Sequence, residues 1–243
     1  MDDYNRRHFI RTSIPGFLGL GLALPSINAI ATRANAFEGR VPENGVINWD
    51  AFLEAVEMET AKQHLDHWNQ DDYVKKAAAL ALRLNLKDPA LAKAFANTQN
   101  GLGNQRVDFY DLEEQRDFQV NLLQFEKDEQ ITHHDHPDMT GVILCATGMI
   151  DVWNYDLIEH KNDQHVLLAE TARATLSKGH VSTLTSKARN IHRLKAGRLT
   201  QLVDIFAPPY NKERARKSTW FKVDPEPIQQ QPGRPTIYQA TTR

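Results

Sequence analysis

Downstream of Gly101-Leu102-Gly103-Asn104 the chain turns into a series of short alternating or apolar runs. They lie at Phe118–Phe125, Gly141–Leu144, Ile150–Tyr155, His165–Leu168, Val181–Leu184, Ile191–Leu194 and Leu199–Phe206. Turn-forming stretches such as Ala146-Thr147-Gly148 and Lys195-Ala196-Gly197 separate them. Many short strands with frequent turns predict a mainly β barrel or sandwich. Pro208-Pro209 ends the last strong strand, because proline cannot donate to a ladder. Beyond Asp224 the prolines at 225, 227, 232 and 235 predict an extended tail over 225–243, wrapped on the surface. No internal repeat is visible.

The stretch before the strands has a different period. Phe52, Val56, Ala61 and Leu65 recur at helical spacing behind Asn48, a candidate N-cap. Tyr73 to Leu84 is rich in the good helix formers Ala, Leu and Lys. Lys87-Asp88-Pro89 breaks the pattern, and Ala90 to Ala96 predicts a third, short helix. Residues 37–104 therefore read as a helical extension packed on the barrel, its apolar face serving as core. His64 and His67 sit three apart but lack a third ligand nearby, so they read as surface histidines.

The first 36 residues read as an address. A polar start with Arg6-Arg7 precedes Phe9-Ile10, an apolar run extends from Phe17 to Ala31, and Ala34-Asn35-Ala36 offers a cleavage site. The arginine pair before an apolar dipeptide resembles a bacterial twin-arginine (Tat) signal. It predicts delivery to the periplasm by the Tat machinery, with no membrane span after processing. The run carries Pro25 and is shorter than the roughly 20 apolar residues a spanning helix needs. Processing would remove Arg6, Arg7, Arg11 and Arg33 against Asp2 and Asp3, making a chain of net charge −2 more acidic still. Such a balance speaks against nucleic acid as a partner. The single cysteine, Cys145, excludes an intramolecular disulfide and any cysteine-rich metal site. In an apolar strand it reads as core.

Chemistry concentrates at His133-His134-Asp135-His136-Pro137. Alternate residues of an extended strand face one side, so His134 and His136 point together and His133 points away. A pair of imidazoles on one face can chelate a metal, and a third ligand must come from elsewhere. His192, on a predicted strand, is best placed for this; on spacing alone His133, His160, His165 or His180 could replace it. Imidazole does not choose the metal: three histidines with open positions suit zinc, copper, iron or nickel.

Four motifs occur in order: His134-Asp135-His136-Pro137-x-Met139, the Gly148-Met149 turn into Val152–Tyr155-Asp156, Asn190-Ile191-His192-Arg193, and Asp204-Ile205-x-x-Pro208-Pro209-Tyr210. From about Val107 to Phe221 the chain resembles the thiol dioxygenase family of plant cysteine oxidases and 2-aminoethanethiol (cysteamine) dioxygenase. The resemblance implies a cupin fold, a double-stranded β-helix, over 105–224. It also implies Fe(II) on His134, His136 and His192, with Asp204 and Tyr210 lining the pocket and influencing turnover. The implied reaction adds both atoms of O2 to a thiol, giving a sulfinic acid. Its substrate would be a small thiol or an N-terminal cysteine peptide, its state monomeric, with no organic cofactor. The chain departs from the family at Asp138, where glycine usually follows proline. Ser218 replaces a cysteine of many relatives, and Trp220-Phe221 replace a tyrosine pair. A cupin with another metal and reaction, such as a lyase or isomerase, or a non-enzymatic metal-binding cupin, are the competing expectations.

Overall fold

Two periodicities in one chain produce two layers of different kind. The computed structural model describes residues 45–99, 107–210 and 212–243; the expected signal, 1–36, lies outside them. Helix α1 (Trp49–Thr60) starts as its capping residue demands: Asn48 Oδ1 accepts from the Ala51 N–H at 2.9 Å. A 3-10 turn (Ala61–His64) follows, then α2 (Gln70–Arg83), capped by Asn69, whose side chain accepts from the Asp72 N–H at 3.1 Å. Helix α3 (Pro89–Gln99) carries proline at its first position, where no N–H is needed. Among the described residues no helix is long and apolar enough to cross a membrane.

The strands are β1 (Asp108–Glu114), β2 (Gln119–Phe125), β3 (Gln130–His134), β4 (Thr140–Thr147), β5 (Met149–His160) and β6 (His165–Ser177). Then come β7 (Val181–Leu184), β8 (Ile191–Ala196), β9 (Thr200–Ala207), β10 (Phe221–Val223) and β11 (Thr236–Thr242), with a short helix α4 (Lys212–Ala215) between β9 and β10. They form a five-stranded sheet, β1-β2-β9-β4-β7, and a six-stranded sheet, β10-β11-β6-β5-β8-β3. Every strand pairing is antiparallel, and partners distant in sequence lie side by side. This interleaving of two sheets is the double-stranded β-helix of a cupin. The Gly148 turn between β4 and β5 needs glycine: φ is +83°, and a Cβ there would lie 2.3 Å from the Leu199 carbonyl oxygen.

Strands β2, β4 and β9 are buried on both faces. Their outward side chains, including Val120, Leu122, Val142, Leu144, Val203 and Ile205, pack under the helices against Phe52, Val56, Ala77 and Leu91. Each such side chain contributes about 1.5–3 kcal/mol on burial. Gln201, also outward, fastens α3 to the sheet: its Nε2 lies 3.0 Å from the Phe95 carbonyl, 2.7 Å from Thr98 Oγ1 and 2.8 Å from Gln124 Oε1. Helices α1, α2 and α3 thus cover one sheet.

Three strands escaped the sequence reading; one of them, β10, has only three residues and so little pattern to read. β1 is rich in acidic residues and lies at a sheet edge, where burial imposes little pattern. β11 corrects the expectation of a surface tail: Ile237, Tyr238 and Ala240 pair with Ala169, Leu168 and Val166, so the end of the chain is a strand of the six-stranded sheet. The prolines that suggested a tail all precede it.

Candidate metal centre

The lumen between the sheets has two unlike ends. At one, Leu123, Phe125, Ile143, Cys145, Ile150, Val152, Leu194 and Leu202 form a continuous apolar cluster. At the other, the inward positions of the same strands become polar. Asn121 of β2 faces Asp204 of β9, and Asp204 faces Ile143 of β4, which faces Ser182 of β7. On the opposite sheet Asn154 of β5 pairs with His192 of β8, which pairs with His134 of β3. Ser182 Oγ lies 3.4 Å from Asn154 Oδ1, joining the two rows at one level.

His134, His136 and His192 meet here, all buried, with one ligand atom from each within 4.8 Å of the others. Each position has a local cause. His134 ends β3, and its Nδ1–H donates to the Thr132 carbonyl at 2.8 Å, which leaves Nε2 as the free lone pair. His192 sits in the ladder of β8. His136 lies in the loop past β3, and Asn190 holds it: Asn190 Oδ1 accepts from the His136 N–H at 2.8 Å, while Asn190 Nδ2 donates to the His136 carbonyl at 2.9 Å. The loop then turns through Asp138 at φ +60°, a left-handed conformation that favours glycine and that aspartate tolerates.

The donor set fits a cation. His136 Nε2 and His192 Nε2 are 3.1 Å apart. Two imidazole nitrogens each about 2.1 Å from one ion would lie roughly 3.0–3.4 Å apart, from right-angle to tetrahedral arrangement. His134 Nε2 brings a lone pair, and at most one proton can lie between the other two nitrogens, so the cluster is electron-rich. Burial pushes the His134 pKa down to about 4 and holds His136 and His192 well below the usual range, the neighbouring histidines adding to the effect. All three are therefore neutral near pH 7, the form that binds metal.

Aromatic rings wall the cluster. Trp220 stacks on His134 with centroids 4.8 Å apart and bridges to it through the backbone. Thr219 N–H donates to Asp135 Oδ1 at 2.6 Å and the Asp135 N–H to the Thr219 carbonyl at 3.1 Å, which pins the segment that carries Trp220. Phe206 lies 4.7 Å from the His136 ring, and Tyr210 lies 5.3 Å from both. Burial raises the Tyr210 phenol above its ordinary range, opposed by the Ser218 side chain beside it and reinforced by Asp204 and Asp135. Asp204 is buried on the lumen face, and burial alone pushes its carboxyl up to about 8.

All five residues singled out in the sequence, His134, His136, His192, Asp204 and Tyr210, thus lie in the polar end. Among the described residues the other histidines do not. His133 faces away, edge-on to Tyr155 at 5.2 Å; His180 contacts Ser177, His165 contacts Asn162, and His64 bonds Asp117. Cys145 belongs to the apolar end, its thiol pushed up to about 12 by burial. Sequence reasoning missed Asn190 as the clamp on His136 and Trp220 as the ring on His134.

A family model, PCO_ADO, matches residues 66–237 of this chain. The chain belongs to the PCO_ADO family of thiol dioxygenases. A relative from Dictyostelium discoideum, named "Probable 2-aminoethanethiol dioxygenase", is 24% identical over 144 residues, which is 57% of this chain and 66% of that protein. The chain therefore spans just under two thirds of that relative's length. Among solved structures, KdgF from Halomonas sp. is similar at 15% identity and TM-score 0.34, covering 44% of this chain and 82% of its own. A cupin superfamily protein from Desulfitobacterium hafniense is similar at 14% identity and TM-score 0.32, covering 44% and 81%. At such scores neither adds to what the sheet order itself says of this PCO_ADO member.

Proposed function

We propose that this protein is an Fe(II)-dependent thiol dioxygenase that converts a substrate thiol to a sulfinic acid. The observation that carries the reading is the set of three neutral imidazoles converging in the polar end of the lumen of a PCO_ADO family member. His134, His136 and His192 hold the iron. When bound, iron supplies the chemistry that joins both atoms of O2 to the substrate sulfur. Overall, R–SH + O2 gives R–SO2H: sulfur loses four electrons, the S–H and O–O bonds break, and the proton remains on the product. No external reductant enters that balance.

The chain's own residues supply position and protons. Asp204 carries a carboxyl that is neutral near pH 7 and ionises readily when a cation approaches, its pKa being about 8. Tyr210 keeps its phenolic proton and remains a hydrogen-bond donor beside His136. Trp220, Phe206 and Tyr210 exclude water from the imidazoles. Substrate is a small thiol or a peptide beginning with cysteine, and the protein acts in the periplasm after Tat export, as a monomer.

Anaerobic reconstitution followed by metal analysis, with oxygen uptake and sulfinate measured on cysteamine and Cys-initiated peptides, tests the reaction. One iron per chain and one O2 per sulfinate are expected. Stoichiometric iron with no oxygen uptake on any thiol would overturn it. For export, changing Arg6-Arg7 to Lys-Lys should retain a fused reporter in the cytoplasm; unchanged export would refute the Tat reading.

A further inference from the structure

The loop between β7 and β8, residues 185–190, is hydrogen-bonded to three separate parts of the molecule. Thr185, which is buried, first closes the loop on itself: its N–H donates to the Ala188 carbonyl at 2.9 Å, and its Oγ1 accepts from the Ala188 N–H at 3.0 Å. Strand β5 holds Arg189, which stands at φ +58°. The Arg189 N–H donates to Asp156 Oδ1, and its carbonyl accepts from Asn154 Nδ2 at 3.1 Å. Asn190 reaches back to the start of the loop and across to a ligand. Its Nδ2 donates to the Thr185 carbonyl at 2.8 Å as well as to the His136 carbonyl. Ser186 reaches the helical layer instead. Its N–H and its Oγ both donate to Gln70 Oε1, at 3.0 and 2.9 Å. Gln70 opens helix α2, directly behind the capping Asn69.

These bonds meet in one peptide unit. The Thr185 carbonyl and the Ser186 N–H belong to the same plane, which is rigid because the C–N bond has partial double-bond character. Gln70 fixes the N–H side of that plane, and Asn190 is bonded to its carbonyl side. Asn190 in turn bonds both backbone groups of His136. A connected path therefore runs from α2 to a ligand histidine. His136 depends on such support more than the other two ligands do. His134 and His192 are cross-strand partners in the ladder of β3 and β8, which fixes their backbone. His136 lies past the end of β3. A ligand imidazole is commonly oriented by a bond at its second ring nitrogen, but no hydrogen bond reaches the buried Nδ1 of His136 among the described residues. Its direction is set through its backbone and through the rings of Phe206 and Tyr210 that pack on it.

We propose that Gln70 is a positioning residue for the ligand His136, acting through the Thr185–Ser186 peptide and Asn190, so that the helical layer takes part in holding the metal. The inference rests on the three-histidine metal reading and not on the reaction the metal performs. What position 70 must supply is an acceptor oxygen aimed at Ser186. Glutamate keeps that oxygen, and leucine removes it at similar volume.

The test uses the full chain, loaded anaerobically with Fe(II), and measures iron affinity by competition with a chelator. Asn190→Ala should weaken binding about 10–100-fold, the usual effect of removing a ligand's supporting partner. Gln70→Leu should weaken it about 3- to 10-fold, as expected for the loss of supporting hydrogen bonds one step further away. Gln70→Glu should bind iron like the unaltered protein. Combining Gln70→Leu with Asn190→Ala should add little to Asn190→Ala alone, because residues on one path are not independent. A readout without metal is the exchange rate of the His136 N–H, the proton donated to Asn190. It should rise in Gln70→Leu and stay low in Gln70→Glu.

Unchanged iron affinity in Gln70→Leu would overturn the proposal. So would a Gln70→Glu variant as weak as Gln70→Leu, or fully additive losses in the double variant, since both describe a general loosening of the helix. Lys75→Ala, on the exposed side of α2, serves as the control, and an equal loss there would overturn it too. Absence of thiol oxidation, with the affinities as expected, would overturn the dioxygenase reading and leave the positioning role of Gln70 standing. Thiol oxidation with no effect of Gln70→Leu on affinity or exchange would do the opposite.

Discussion

Strands β2 and β9 contribute inward side chains to both ends of the lumen, and the two ends are built on opposite rules. Towards one end the inward positions are Leu123, Phe125, Ile143, Cys145 and Leu202, all in one apolar cluster. Towards the other they are Gln119, Asn121, Asp204 and Phe206, facing three histidines. The first end gains free energy from dry packing, which tolerates no void. The second holds orphan amide oxygens, neutral imidazoles and a raised carboxyl, each costly to bury without a partner. Stability and chemistry are segregated along the barrel axis, so perturbing the two ends should give separable results.

The largest contrast comes from removing a ligand. His192→Ala should abolish turnover and lower iron content after reconstitution by at least the roughly 10–100-fold that even outer partners of a ligand can cost. Chemical denaturation of the metal-free variant should show a much smaller change. Full retention of iron would break the assignment of His192. In the apolar end, Leu202→Ala should cost about 2–5 kcal/mol in denaturant unfolding and leave iron stoichiometry intact. A loss of iron there would show the ends to be coupled.

Two ionisable groups of the polar end, His134 and Asp204, give pH dependences of opposite sign in the metal-free protein. Burial lowers the His134 pKa from 6.5 to about 4, so stability is full above 6.5 and is lost as pH falls through that window. Burial raises Asp204 from 3.8 to about 8, so the unfolded chain releases this proton first. Stability from this group is full below pH 4 and is lost as pH rises towards 8. Asp204→Asn should remove the decline above pH 6.5 and keep the acid limb, as read from urea midpoints against pH. The smallest effect is expected at Trp220, which stacks on His134. A ring stack is worth about 0.5–1.5 kcal/mol, so Trp220→Ala should weaken iron retention only about 2- to 10-fold, measured by competition with a chelator.

What the sequence made legible follows from periodicity. The runs between 118 and 206 alternate because each strand has an inner and an outer face, and His134 and His136 share a side for the same reason. His192 was singled out by ordered motifs; spacing alone left four alternatives. Features that depend on register across distant segments were illegible. The stack of Trp220 on His134 needs two segments 86 positions apart to bridge, and Asn190 reaches His136 across 54. Gln119 and Asn121 look in sequence like the solvent side of an amphipathic strand, since the period shows that two faces differ without showing what each face meets. With Val120 and Leu122 packed under the helices, the alternate positions Gln119 and Asn121 face the other way, into the cavity.

Strand β9 carries this division on single alternate residues. Gln201, Val203 and Ile205 hold the helices, while Leu202, Asp204 and Phe206 look into the lumen. A strand has a strict two-residue period, so inserting or deleting one residue near Thr200 would exchange the two sets, turning Asp204 towards α3 and Gln201 inward. Among homologues and engineered variants, the identity of a residue in β9 can therefore drift within its own face, whereas its length cannot change by one. The spacing from Gly148's neighbour Leu199 to the Pro208-Pro209 stop is a counted quantity, and insertions compatible with function should fall outside it.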